Sequence, residues 1–153
     1  MMLRRLVLAL VLGALVALAL ALPAVAQTTA GAGMATRTYL HARLTGEQEV
    51  PGPGDPNGFG SATVWTISPN TVCYRLAARG IAPPNAAHIH EAPPGVAGPV
   101  VLPLRPPTWG VSAGCTKAAP ALVSALAANP SGYYVNVHNA PYPEGALRGQ
   151  LHR

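Results

Sequence analysis

The 153-residue sequence predicts an all-β fold, an antiparallel β-sandwich of Greek-key type with one short helix around 119–128. Three observations carry that expectation. Seven or eight short segments at close spacing alternate apolar and polar residues, the period of a half-buried strand. The 17 prolines and 16 glycines punctuate the chain with turns. Only one stretch, Pro120 to Ala127, has helical character, with Pro120 suited to its first turn.

Thr38 to Leu44 sets Leu40, Ala42 and Leu44 against Tyr39, His41 and Arg43, which makes the first strand. Pro51 to Gly58 holds three prolines and must be a loop. Ser61 to Ile67 and Thr71 to Arg79 are the second and third strands, joined by a hairpin turn at Ser68-Pro69-Asn70. Ala86 to His90 is a short fourth strand, Glu91 to Gly98 a loop, Pro99 to Leu104 the fifth strand, and Gly110 to Cys115 the sixth. Tyr133 to His138 and Ala146 to Leu151 finish the chain, with a turn over residues 139–145.

The N-terminus reads as an export signal: Arg4 and Arg5, an apolar run from Leu6 to Leu22, and an A-x-A cleavage site at Ala24-Val25-Ala26. The expected organisation is a signal peptide at 1–26, a flexible tail at 27–36 and one β-sandwich domain at 37–153. A retained membrane anchor is the rival reading of the apolar run. After cleavage no second run is long enough to span a bilayer, so the product is expected in a periplasm, on the cell surface or secreted. The net charge is +5, of which Arg4 and Arg5 supply two, and the remaining arginines are scattered. No basic stripe interleaved with aromatics is visible along the chain, which argues against nucleic acid.

Cys73 and Cys115 are the two cysteines, and an exported chain favours a disulfide between them. The bridge would close a loop of about 42 residues, worth up to about 4 kcal/mol by chain entropy. Two free thiols or a cysteine metal ligand are the alternatives, although neither residue lies in a C-x-x-C pair or beside a histidine.

His88-Ile89-His90 places two imidazoles on one strand face with Ile89 on the other, and Asn136-Val137-His138 supplies a third from another strand. Burying Ile89, Val135, Val137, Leu147 and Leu151 puts Tyr134, Asn136, Arg148 and Gln150 on the histidine side, outside the aliphatic core. Three imidazoles suit copper or zinc, and the affinity order favours copper. The alternative is a structural hydrogen-bond network in which the rings hold loop carbonyls. With a metal bound, Tyr134, Asn136, Arg148 and Gln150 would support the ligands or contact an anion; in the network, Asn136 and Arg148 are the partners. Glu47 and Glu49 share a face by strand parity and read as a solvated edge. Arg148 has Glu144 as its local acidic partner, and Trp65 and Trp109 read as core or loop-packing residues.

The run Ala86 to His90 with Gly95, Gly98, Pro99 and Val100, then Tyr134 to His138, Pro143 to Leu151, and Glu47 to Pro51 near the start, resembles the chordin-type (CHRD) domain. The resemblance spans about Tyr39 to Leu151 and implies a fold and an extracytoplasmic setting, but no reaction. The Pro93-Pro94 pair departs from the glycine-rich loop of many relatives and stiffens the segment after the histidines. The H-x-H strand is also similar to copper–zinc superoxide dismutases, a likeness of fold that is weak evidence of function. Their two-metal site needs more histidines than the five present, whereas a single three-histidine site can be assembled. The expected function is thus a non-enzymatic exported binding or structural module with a possible copper or zinc site. A dismutase-like redox or copper-handling protein is the first alternative, and a surface or matrix protein that contacts other proteins through its sheet edge the second.

Overall fold

The computed structural model describes residues 37–67 and 69–153; the expected signal peptide at 1–26 and tail at 27–36 lie outside the described residues. Eight strands form: β1 (Arg37–Thr45), β2 (Phe59–Ile67), β3 (Thr71–Arg79), β4 (Pro84–Glu91), β5 (Val100–Leu104), β6 (Val111–Lys117), β7 (Tyr133–Asn139) and β8 (Leu147–Gln150). One helix, α1 (Pro120–Ala128), precedes β7, and its first turn begins at proline as the sequence suggests. The third strand matches the expected bounds, and the others differ at their ends by a residue or two.

All strand pairs are antiparallel, in the order β5-β4-β7-β8-β1-β2-β3-β6. The β1–β8 junction is narrow. Only Thr45 and Arg148 pair there within the strands, with a further bridge between His41 and His152. The sheet therefore folds at this line into two four-stranded halves, the sandwich expected from the alternating pattern.

The core lies between the halves. Leu40, Leu44, Val64 and Leu76 come from one, and Ile89, Val135, Val137 and Leu147 from the other, all fully buried. Burial of each such side chain contributes roughly 1.5–3 kcal/mol. Val123 and Leu126 of α1 add to the same cluster. On the far side, the Tyr74 hydroxyl of β3 accepts the Arg105 N–H at 2.8 Å, and Ser112 of β6 donates to the Arg105 carbonyl at 2.7 Å. These bonds tie the end of β5 to the opposite end of the strand order.

Cys73 and Cys115 form the disulfide, at directly paired positions of β3 and the edge strand β6. Trp65 stacks on Tyr39, ring centroids 6.0 Å apart, on the outer face of the β1–β2 pair. Trp109 contradicts the expectation of a packed residue: it is 94% exposed in the turn between β5 and β6. No helix among the described residues is long and apolar enough to cross a membrane.

Candidate metal centre

The pairing of β4 with β7 assembles the site. His88 lies opposite Asn136, His90 opposite Tyr134, and Ala86 opposite His138. Because Ile89, Val135 and Val137 point into the core, the three histidines share the other face. Ring centroids are 5.1 Å apart for His88–His138, 5.6 Å for His88–His90 and 6.3 Å for His90–His138. One nitrogen from each ring can be chosen so that all three lie within 4.8 Å of one another.

Backbone carbonyls set the rings' tautomers. His90 Nδ1 lies 2.9 Å from the Gly98 carbonyl and His138 Nδ1 3.0 Å from the Pro143 carbonyl. A carbonyl oxygen only accepts, so each Nδ1 carries the hydrogen, and in the neutral ring each Nε2 keeps a lone pair. His138 Nε2 faces His88 Nδ1 at 3.2 Å. His90 Nε2 is buried and has no hydrogen-bond partner among the described residues. Burial, reinforced by the neighbouring histidines, lowers His88 below the ordinary histidine range. Burial also lowers His90, against the raising effect of the Gly98 carbonyl. Neutral imidazole is the form that binds a metal.

Around the rings lies a second set of groups. His90 stacks on Tyr134, centroids 4.8 Å apart and 14° from parallel, while the Arg148 guanidinium sits 3.5 Å from the centre of the same ring. The register places His90 on the β4 side of Tyr134 and Arg148 on the β8 side, so the tyrosine is held between them. Loop segment 91–99 is pinned over this layer. Arg148 donates to the Pro93 carbonyl at 3.1 Å, Gln150 to the Ala92 carbonyl at 2.8 Å, and the Gly98 N–H to the Tyr134 hydroxyl at 3.2 Å. The residues expected on the histidine side are thus there, but Tyr134, Asn136 and Arg148 are buried beneath loops rather than open to anions.

The acidic partner of Arg148 is not Glu144, which is exposed in the 139–146 turn. It is Glu49. Glu47 and Glu49 do not share a strand face, because Gly46–Gln48 is a single 3₁₀ turn. That turn sends Glu47 outward and Glu49 inward, beneath Gly145, where a Cβ would come within 2.5 Å of the carboxylate. Asn136 donates to Glu49 at 3.4 Å, and Arg148 acts on it through its charge. Neither the sequence period nor the spacing signals this buried acid; the glycine at 145 is its one trace.

Burial pushes the Glu49 carboxyl up to about 7, with Arg148 and Asn136 pulling the other way. Since its folded value exceeds the ordinary 4.5, the folded state holds a proton that the unfolded state releases between those values. Glu49 therefore favours the fold most below pH 4.5, and its contribution declines through pH 7. His88 and His90 act in the opposite sense, costing stability as pH falls below 6.5. Glu49→Gln is expected to isolate the first effect: near-neutral at pH 5, and more stable than the parent at pH 8 by on the order of 1–2 kcal/mol. Urea midpoints at the two pH values measure it, and a constant difference between the proteins would contradict the assignment.

The family model for the CHRD domain matches residues 40–151, nearly the whole described chain. No curated protein and no solved structure matches.

Proposed function

We propose that this chain, which belongs to the CHRD-domain family, is a non-enzymatic extracytoplasmic binding module that holds one copper or zinc ion on His88, His90 and His138. The observation that carries this is the buried Nε2 of His90, which has no partner among the described residues, beside two further imidazoles, one nitrogen of each of the three rings lying within 4.8 Å of the others. Bonds of about 2.0–2.1 Å to a shared ion bring ligand nitrogens to roughly 3.3–3.5 Å from one another. The His88–His138 pair is already at 3.2 Å, and ring rotation closes the remainder. The carbonyls of Gly98 and Pro143 are the outer hydrogen-bond partners that such ligands use to hold their orientation. The Cys73–Cys115 disulfide supports an oxidising compartment.

A bound copper would supply either a structural clamp between β4 and β7 or a one-electron centre. Three neutral imidazoles with no thiolate make the site of intermediate softness, open to copper and zinc alike. Titration of the purified protein with copper(II), followed by elemental analysis, is expected to give one ion per chain. His88→Ala and His138→Ala should each weaken binding on the order of a hundredfold. Absence of stoichiometric uptake, with both variants losing stability instead, would return the histidines to a structural network. Superoxide consumption by the copper-loaded protein would favour the redox reading.

A further inference from the structure

Four of the arginines scattered through the sequence are collected by strand pairing onto one sheet face that no other element among the described residues covers. Across β1, β2, β3 and β6 the register aligns Arg43 with Ser61, Ala77 and Val111, and His41 with Thr63, Arg75 and Ala113. It likewise aligns Arg37 with Ile67, Thr71 and Lys117, and Thr45 with Phe59 and Arg79. All of these positions alternate with the core residues Leu40, Val64 and Leu76 and so point away from them. Arg37, Arg43, Arg75, Arg79 and Lys117 therefore share a face of roughly 14 by 27 Å, from the spacing of four strands and five rows. No acid lies on it. The chain's five acidic residues are Glu47, Glu49, Asp55, Glu91 and Glu144, and the nearest along the strands, Glu47, follows the end of β1.

Aromatic rings lie among these cations. Tyr39 is 49% exposed and Phe59 55%, and Tyr39 is held against Trp65 in a stacked pair. Phe59 and Arg79 flank a shallow depression of about 280 Å³ floored by Gly60, Ser61 and Ala77, residues too small to fill it. We propose that this face binds an anionic polysaccharide. Pyranose rings lay their C–H faces on aromatic rings, guanidinium groups take carboxylate or sulfate in a two-pronged grip, and unopposed positive charge draws in the polymer. The disulfide at the β6 edge of the face fits an oxidising compartment outside the cytoplasm, a setting in which polyanionic glycans occur. A lipid surface calls for apolar side chains that insert between headgroups, whereas Trp65 is half-buried against Tyr39. The inference is independent of the histidine site.

The test is binding of dextran sulfate to the purified full-length protein at 150 mM salt, on the order of one to two Debye lengths across a gap between neighbouring charges. Neutral dextran, phosphatidylglycerol vesicles and a thymidine oligonucleotide serve as competitors. The triple variant Arg43→Ser/Arg75→Ser/Arg79→Ser is expected to bind dextran sulfate about tenfold or more weakly, with a shallower salt dependence. Arg79→Ser alone should lose about threefold, and Arg105→Ser, an exposed arginine off this face, should lose nothing. If the triple variant does not fold, the two single variants decide. Equal losses in Arg79→Ser and Arg105→Ser, unchanged binding by the triple variant, or equal binding of neutral dextran would overturn the proposal. So would tighter binding of the vesicles or the oligonucleotide.

Discussion

Arg148→Ala is expected to destabilise the domain by about 3 kcal/mol or more, among the largest effects of any single substitution outside the aliphatic core. Arg148 is 2% exposed, and three separate losses follow its removal. The guanidinium no longer stacks on Tyr134, an interaction worth up to about 2 kcal/mol in a desolvated setting. The Pro93 carbonyl loses its donor, and Glu49 loses the positive charge that offsets its burial. Glu49 would then take up a proton at still higher pH, which caps the electrostatic part of the cost. Arg148→Lys should recover part of the loss, since it restores charge but not the planar stack. Urea denaturation of the three proteins at pH 7 measures this, and a cost below about 0.5 kcal/mol for the alanine variant would contradict it.

Replacing both cysteines, Cys73→Ser with Cys115→Ser, is expected to cost up to about 4 kcal/mol. The bridge closes a 42-residue separation that includes β4 and β5 as well as the connection over residues 105–110 to β6. Its removal frees an edge strand, so the damage should be local first: amide exchange in Val111–Lys117 should speed before that of Tyr133–Asn139. The thermal midpoint should fall by on the order of 15 °C. An unchanged midpoint would mean that pairing with β3, together with the Ser112 bond to Arg105, already holds β6 in place.

The fold was legible because alternation is a local signal. Leu40, Ala42 and Leu44, or Val135 and Val137, declare their face without reference to any distant residue. The same parity put His88, His90 and His138 on one side, and the pairing of β4 with β7 brought them together. What stayed hidden depends on where loops go. Glu49 follows a 3₁₀ turn, whose period of three breaks the parity that assigned it to the surface beside Glu47. Its match with Arg148 joins positions nearly a hundred residues apart, whereas the sequence offered Glu144 four residues away. Trp109, being large and apolar, suggested packing, yet it stands exposed in the turn between β5 and β6. The basic face was missed for a related reason. Arg37, Arg43, Arg75 and Arg79 are far apart in the chain, and only the register of β1, β2 and β3 lines them up.

X-ray absorption of the copper-loaded protein, recorded for the parent and for His90→Ala, bears most directly on the shared-ion account. Three imidazole nitrogens at about 2.0 Å are predicted in the parent and two in the variant. A coordination shell dominated by oxygen, or one left unaltered when His90 is replaced, would mean that the ion sits elsewhere and that these rings serve only to hold the loops.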